Sequence, residues 1–197
     1  MSQGKGTQGR RRELIVLSAL HCFTQHGFHQ TSMRHIATEA KVSLGNLYNY
    51  FTGKGEIIKE IAGLESQEQS VLISTLEQQQ QPLAAIQKFA TIYLEQLSQP
   101  DRIKLTVEII AECTRDPEIA LIFADNQRTI TSALTTTIAR GIQSGDIRQD
   151  IQSEILAELI IDGIEGFAMR KSLFSDTSTT GHGLIQLLLT LLKNTEK

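Results

Sequence analysis

The chain has 197 residues, enough for one large domain or two small ones with a proper core. It carries 19 Lys and Arg against 22 Asp and Glu, and this net charge of −3 by itself argues against a nucleic-acid-binding protein. No apolar stretch approaches the roughly 18 residues of a membrane span, and the N-terminus lacks a secretory signal pattern. Two distant cysteines, Cys22 and Cys113, suit a reducing compartment rather than a disulfide framework. We therefore expect a soluble cytoplasmic protein without membrane attachment.

The charge is unevenly distributed along the chain. Residues 1–60 hold eight Lys and Arg against four Asp and Glu, whereas residues 61–197 hold eleven against eighteen. A basic N-terminal part concentrates positive potential there, and the acidic remainder keeps polyanions away from the rest. The alternative is that these charged residues simply form a solvated surface and that the asymmetry of charge arose by chance.

The N-terminal segment predicts an arm followed by a helix. Residues 1–9 are rich in Gly and Gln, and we expect them to form a disordered basic arm. After three consecutive arginines, Ile15, Ala19 and Phe23 lie on one stripe of a helix that should end at Gly27.

Residues 31–51 predict two short helices joined by a tight turn. The first helix has an apolar stripe from Met33 to Ala40 and is capped by Thr31 or Ser32; Ser43 caps the second. Leu47 and Phe51 of the second helix should face inward. The residues left on or beside its opposite face are Leu44, Gly45, Asn46, Tyr48, Asn49 and Tyr50. Hydrogen-bonding and aromatic groups presented by the second helix of such a pair can enter a DNA major groove.

The remaining chain predicts further helices and no sheet. They run from near Lys54 past Ile73, from Pro82 to about Leu97, from Pro117 to about Gln143, from Ser153 to Leu173, and finally to about Leu192. Residues 103–109 alternate in a strand-like way, but we interpret them as helix because no second strand is available to pair with them. The prediction is an all-α fold of about nine helices. It divides into the arm at 1–9, a helix-turn-helix head at 10–55 and a helical bundle at 56–197.

A set of dispersed positions within residues 10–60 agrees in order with a known family pattern. They are Leu14, Ile15, Ala19, Phe23, Gly27, Phe28, Thr31, Ser32, Met33, Ile36, Ala37, Ala40, Val42, Ser43, Gly45, Leu47, Tyr48, Tyr50, Phe51 and Lys54. In these positions the chain resembles the TetR/AcrR family of transcriptional regulators. Two positions depart from the family pattern. Lys41 stands where glycine is usual, and two interpretations are open: a positive φ at a cost of about 1 kcal/mol, or an extra phosphate contact. Gly55 replaces an acidic residue.

The resemblance implies which residues touch DNA. Thr31, Ser43, Gly45, Tyr48, Tyr50 and Lys54 occupy positions that commonly do so, while Leu44, Asn46 and Asn49 lie where base-reading residues vary. Tyrosine hydroxyls can donate to phosphate and asparagine amides can pair with an adenine edge. Arg34 on the first helix of the pair is a candidate phosphate ligand. Packing beneath the second helix is the alternative for Tyr48.

Neither catalytic chemistry nor a cofactor is indicated. Four histidines lie near Cys22 in the sequence, and Cys22 and His26 could share a metal, but solvent-facing histidines are the favoured interpretation. A redox role for Cys113 is a minor alternative. The C-terminal part shows no enzyme motif, so we expect no catalytic, cofactor or metal site.

The resemblance implies a pocket for a small effector in the helical bundle. The candidate lining residues are Phe89, Tyr93, Cys113, Phe123, Phe167 and Met169, which could equally just fill the core. Buried carboxylates at Glu108 or Glu112 would favour a cationic effector.

The last two helices are apolar over more than one face, which requires cover on both sides. The resemblance implies that a second copy supplies this cover in a four-helix interface, and we assign Ile160, Ile164, Leu184, Leu188 and Leu191 to it. The leading hypothesis is a homodimeric repressor released from a near-palindromic operator by a small apolar or aromatic effector. The alternative is a DNA-binding protein of the same fold that answers to a protein partner or acts as an activator. A small helical enzyme or structural bundle comes far behind.

Overall fold

The computed structural model describes residues 3–99, 101–174 and 179–194. These residues form nine α-helices: α1 (Gln3–His26), α2 (Met33–Glu39), α3 (Leu44–Tyr48), α4 (Lys54–Gln78), α5 (Pro82–Leu97), α6 (Arg102–Cys113), α7 (Pro117–Gln143), α8 (Ser153–Leu173) and α9 (Gly181–Leu192). The β-type pairing seen in this part of the chain is one isolated bridge between Ile147 and Lys193. The all-α prediction is confirmed. No helix within the described ranges combines the length and hydropathy that a bilayer-spanning segment needs.

Local capping sets the boundaries of the first three helices. α1 ends at His26, and the following Gly27 has a φ of 78°, in the left-handed region that glycine adopts freely. Ser32 caps α2 by accepting a hydrogen bond from the His35 backbone N–H. The Ser32 backbone N–H in turn donates to the His35 ring, which completes a capping box. Ser43 caps α3 by accepting from the Asn46 N–H at 3.1 Å. Lys41 has a φ of 54°, so the turn adopts the positive φ that was one of the two alternatives for this residue.

The start of α1 corrects one expectation. The helix begins at Gln3, inside the arm that we expected to be disordered, and residues 1 and 2 lie outside the described part of the chain. The physical reason is that no proline interrupts this segment. A helix already nucleated downstream extends at a small cost per residue, even through glycine.

The later helices follow their sequence signals. α5 begins at Pro82 and α7 at Pro117, both first-turn prolines; the Asp116 carboxylate accepts from the Glu118 N–H at 2.9 Å. The ambiguous segment near residue 105 is the helix α6, as interpreted.

The chain divides into two compact units, each with its own apolar core. The first unit comprises residues 1–65 and 104–124, and its core includes Ile15, Phe23, Ile36, Leu47 and Phe51. The second unit comprises residues 66–103 and 125–197, and its core includes Leu72, Phe89, Leu134, Ile160 and Phe167. This division follows contacts within the chain, and the functional boundary near residue 55 stays a prediction.

Candidate nucleic-acid interface

Helix α3 presents a polar and aromatic face outward from a buried anchor. Leu47 is fully buried and Phe51, just beyond the helix, is 1% exposed, so these two side chains hold α3 against the first core. On the other side Tyr48 is 50% exposed, and Asn49 and Ser43 are also exposed. The exposed Tyr48 side chain disfavours the alternative that it packs beneath the helix.

Gly45 leaves the exposed face of α3 open. A Cβ atom built at this position would meet nothing within 4 Å, so no packing inside the protein requires glycine here. Glycine in a helix costs roughly 0.5–1 kcal/mol relative to alanine. Because glycine has no side chain, another molecule's backbone can approach α3 closely at this position.

Three side chains at the edges of this face are half-buried. Leu44 and Tyr50 pack against the first core, so only part of each is available outside. Asn46 has an Oδ1 atom that is buried without a hydrogen-bond partner, the one such side-chain atom in the described ranges. An unsatisfied amide oxygen costs about 1–3 kcal/mol, which a rotation towards a bound partner would relieve.

Helix α2 contributes an exposed cation beside α3. Arg34 is exposed, as a phosphate ligand must be. The neighbouring His35 uses Nδ1 to accept from the Ser32 backbone N–H at 3.4 Å, so this ring is tied to the helix cap.

Thr31 does not face solvent, which corrects its assignment as a DNA contact. The residue is 1% exposed, and its hydroxyl hydrogen-bonds the carbonyl oxygens of Gly27 at 2.8 Å and Cys22 at 3.1 Å. Its backbone N–H also donates to the Gly27 carbonyl. The physical reason is that α1 and its closing turn supply the partners for these groups. Thr31 therefore holds the end of α1.

Lys54, which we expected to contact DNA, also has a role inside the protein. Its ammonium donates to the Phe28 carbonyl and lies 4.2 Å from the centre of the Phe28 ring. Burial lowers the pKa of Lys54, because desolvation disfavours the charged form. The half-buried ammonium thus joins the start of α4 to the α1–α2 turn.

Two carboxylates of α6 hold the same turn, a role that the sequence did not reveal. Glu108 accepts from the Phe28 backbone N–H at 2.7 Å, and Glu112 pairs with the His29 ring at 2.8 Å. Glu112 also pairs with Arg115 at 3.1 Å. These carboxylates are satisfied within the first unit, which removes the argument that they favour a cationic effector. The i, i+4 spacing of Glu108 and Glu112, which places both on one face of a helix, was the sequence feature that could have indicated this role.

Arg12 is a second positioning residue missed from the sequence. One guanidinium nitrogen donates to the Tyr50 carbonyl at 3.1 Å and another pairs with Glu60 at 2.7 Å. Its Cζ lies 4.4 Å from the centre of the Phe51 ring. Arg12 thereby joins α1, the end of α3 and α4.

Comparison with family models identifies this arrangement. Residues 15–61 match the bacterial regulatory proteins of the tetR family, and residues 82–194 match the C-terminal domain of BetI-type transcriptional repressors. The second match alone spans more than half of the chain. The chain belongs to the TetR family. It is therefore a DNA-binding transcriptional regulator and not an enzyme.

Individual proteins show the same relationship along most of their length. UidR, an HTH-type transcriptional regulator of Escherichia coli (strain K12), is 28% identical over 158 residues, covering 77% of this chain and 76% of UidR. AcnR, an HTH-type transcriptional repressor of Corynebacterium efficiens, is 24% identical over 177 residues, covering 90% of this chain and 88% of AcnR. A transcriptional regulator from Saccharomonospora viridis, solved in complex with choline, has a TM-score of 0.78 at 19% identity. That alignment covers 91% of this chain and 94% of the other, and it shows a shared fold.

The six effector-pocket candidates of this TetR-family regulator do not gather in one cluster. Phe89, Tyr93 and Phe167 are buried in the second core, with Met169 packed against it, whereas Cys113 and Phe123 pack against the first core. They divide because α6 and α7 each contribute to both cores, which their apolar periodicity does not reveal. A single pocket lined by all six stays a prediction.

A polar network lies beside the aromatic residues of the second core. The Tyr93 hydroxyl donates to Glu165 Oε1 at 2.5 Å, and the Gln127 amide donates to the same oxygen at 3.3 Å. The Phe89 and Tyr93 ring centres are 5.6 Å apart. Three helices, α5, α7 and α8, thus bring hydrogen-bonding groups together in an otherwise apolar interior.

Three of the five dimer candidates face the interior of their own chain. Ile160 and Ile164 are at most 1% exposed and Leu188 is 7% exposed, all in the second core, which corrects their assignment. Leu191 is 42% exposed and Leu184 is half-buried. The physical reason is that α8 and α9 pack on α5 and on each other through one stripe and expose another. Large apolar side chains of these helices outside the core are Ile155, Leu159, Leu173, Leu187 and Leu191.

The cysteine and histidine candidates give no reactive centre. Burial raises the pKa of both Cys22 and Cys113, which disfavours the reactive thiolate. Within the described ranges, no three His, Cys, Asp or Glu side chains are placed to share a metal ion.

Proposed function

We propose that this TetR-family regulator is a homodimeric repressor that reads a near-palindromic operator with α3 and leaves it when a small effector binds. The observation that carries the proposal is the outward face of α3. Tyr48, Asn49 and the open Gly45 stand on a helix whose opposite side is anchored by Leu47 and Phe51. A rigid anchor beneath exposed hydrogen-bonding groups is what groove reading requires.

The exposure of residues on and around α3 supports the following interface assignments. We assign base contacts to Leu44, Asn46 and Asn49, and phosphate or sugar contacts to Arg34, Ser43, Tyr48, Tyr50 and the exposed part of Lys54. Gly45 permits the close approach. Thr31 is left out because its hydroxyl is occupied inside the protein.

Two exposed apolar stripes support a homodimer. On α8, Ile155, Leu159, Gly166 and Leu173 are exposed and fall on one face of the helix. On α9 the corresponding stripe holds Leu184, Leu187 and Leu191. A surface depression of about 420 Å³, lined by residues that include Gly166, Met169 and Leu173, lies along α8. A second copy presenting the same two helices would cover this apolar surface and place two α3 helices roughly 34 Å apart, or a multiple of that distance.

Repression is supported by the relatives, since AcnR and the BetI-type group are both named as repressors.

We place the effector in the second unit, near Phe89, Tyr93 and Phe167. Aromatic surface there suits an apolar or aromatic ligand, and the Tyr93–Glu165–Gln127 network supplies polar groups that could orient it. To convert nearly all binding-competent protein to the released form, the effector must prefer that form by about 5.5 kcal/mol.

Selection of bound duplexes from a random DNA pool tests the proposed reading. We expect a near-palindromic site, and we expect Tyr48→Ala to weaken its binding at least tenfold, because the tyrosine contact is lost. Leu121→Ala is the matched control, since Leu121 is an exposed apolar residue on α7. Failure of the wild-type protein to enrich any sequence would refute operator reading.

Sedimentation of a double variant tests the dimer. Leu159→Glu with Leu187→Glu places charges on both stripes and should yield a folded monomer, whereas Leu121→Glu should remain a dimer. A monomeric wild-type protein at micromolar concentration would exclude the proposed assembly.

Thermal unfolding with a small-molecule panel tests the effector. Choline belongs in the panel because the S. viridis regulator was solved with it, beside apolar and aromatic compounds. We expect one class to raise the unfolding temperature and to lower affinity for the selected duplex. If every class leaves DNA binding unchanged, control by a protein partner or a role as activator replaces the effector hypothesis.

A further inference from the structure

One side of α8 carries a regular pattern of residues outside its own core contacts. They recur at alternating steps of four and three residues, the spacing of a seam along which one helix packs against another. This α8 seam consists of Ile155, Leu159, Asp162, Gly166, Met169 and Leu173. All of its members are exposed except Met169, which is half-buried. A seam of this kind is suited to cover by a further helix.

Two opposite charges stand on this otherwise apolar surface. Asp162 lies within the α8 seam and Arg170 directly beside it, and both side chains are exposed. They are about 12 Å apart along the helix axis, too far for an ion pair within one helix. Within the described ranges, neither side chain forms an ion pair or a hydrogen bond. Both line the depression of about 420 Å³ on α8, whose other lining side chains are largely apolar.

The seam residues are arranged symmetrically about Gly166. Asp162 and Arg170 each lie four positions from Gly166, and Leu159 and Leu173 each lie seven positions from it. A twofold contact places the same surface on both copies. Around an axis at Gly166, antiparallel helices would therefore bring Asp162 of one copy to Arg170 of the other, at two equivalent places. The two leucines would meet in the same way, which covers their exposed surface.

The middle of the seam allows close approach of two helices. A Cβ atom at Gly166 would meet nothing within 4 Å, so packing inside the chain does not require glycine there. The distance between packed helices depends on the side chains at their contact, and glycine makes that distance short. A parallel arrangement in the same register would instead place Asp162 against its own counterpart, and like charges repel.

We propose that α8 recognises α8 of a second copy in an antiparallel register centred on Gly166, with two Asp162–Arg170 ion pairs as the specificity contacts. The inference rests on the proposed homodimer, and it adds the register and the residues that select a second copy over another apolar helix. A guanidinium can bind a carboxylate through two parallel hydrogen bonds. Charge complementarity of this kind fixes register and suppresses wrong partners more than it adds affinity.

Exchange of the two charges tests the register. Asp162→Arg and Arg170→Asp are made singly and then together in one chain, and sedimentation equilibrium gives the dissociation constant of each dimer. Each single change creates two contacts between like charges, so we expect dimerisation to weaken about tenfold or more. The combined variant restores both ion pairs with their signs exchanged. It should dimerise nearly as tightly as wild type, which a locally damaged helix would not do.

A mixture of the two single variants provides an independent measurement. In the mixed dimer both contacts again join opposite charges, so this dimer should predominate over either homodimer in native mass spectrometry. Lys171→Asp and Glu95→Arg are the matched controls. Lys171 is exposed next to Arg170, but the helix period turns it away from the α8 seam, and Glu95 is exposed on α5. Both controls should dimerise as wild type does.

The outcomes separate the register from the dimer itself. Single variants that dimerise as tightly as wild type would overturn the register, and so would a combined variant that is no tighter than either single variant. In both cases the homodimer would stand if wild type is a dimer that Leu159→Glu with Leu187→Glu dissociates. A monomeric wild-type protein would overturn both proposals.

Discussion

Replacing Gly45 by alanine should stabilise the protein while weakening its hold on DNA. The added methyl group would meet no protein atom within 4 Å, and the residue lies in the first turn of α3. Alanine in a helix gains roughly 0.5–1 kcal/mol over glycine. For a chain of this size that corresponds to about 1–4 °C in unfolding temperature. The same methyl group would stand where the duplex approaches, and overpacking at a close interface costs about 1–3 kcal/mol. Affinity should therefore fall by roughly 5- to 150-fold.

The two effects are measured separately, by thermal unfolding and by anisotropy on the selected duplex. Gly63→Ala is the matched control, because Gly63 is an exposed glycine within α4 whose added Cβ also meets nothing within 4 Å. It should give a similar gain in stability and leave DNA affinity unchanged. If Gly45→Ala is stabilised yet binds DNA as tightly as wild type, the outward face of α3 at this position does not approach the duplex. The assignment of Gly45 to the DNA interface would then be wrong.

Three further outcomes follow from the interior of the molecule. Thr31→Val should lower the free energy of unfolding by about 1–2 kcal/mol through loss of a buried hydrogen bond, and the DNA affinity of the folded protein should stay unchanged. A variant with full stability and reduced DNA affinity would restore Thr31 as a DNA contact. Gly141→Ala should destabilise by about 1–3 kcal/mol in denaturant titrations, because the new Cβ would overlap the buried Ile147 side chain, and an unchanged midpoint would contradict this packing. Cys22 and Cys113 should both react with iodoacetamide more slowly than free cysteine at neutral pH, because burial raises the pKa of each thiol; rapid alkylation of Cys113 would revive a redox role.

Some corrections concern residues whose environment is set far away in the chain. Ile160 and Leu188 belong to helices that are apolar over more than one face, and periodicity alone could not say which stripe faces the chain's own core. Contacts with α5 decide that, and they leave Leu159 and Leu187 outside. Cys113 and Phe123 likewise join the first core, because α6 and the start of α7 pack there.

The polar residues of the candidate site also divide into those that nearby sequence predicts and those whose partners lie far away in the chain. Ser43, Tyr48 and Lys41 were interpreted from neighbours within a few residues, and the structure agrees with the predicted cap, the predicted exposure and the positive φ that was one of the two alternatives for Lys41. Glu108 could not be placed from the sequence, because its partner Phe28 lies 80 residues away.

Apart from the start of α1, the amino-acid sequence by itself determined approximately where the helices start and stop, because capping residues, prolines, glycines and apolar periodicity act over a few residues. It also determined the helix-turn-helix and its family, whose pattern lies within about fifty consecutive residues. Only the tertiary structure decided which stripe of each helix is buried. It also showed that Thr31 is internal, that Glu108 and Glu112 hold the α1–α2 turn, and that Arg12 joins α1 to the end of α3. Each of these depends on partners distant in sequence, since burial and hydrogen bonding are settled by what packs against a side chain.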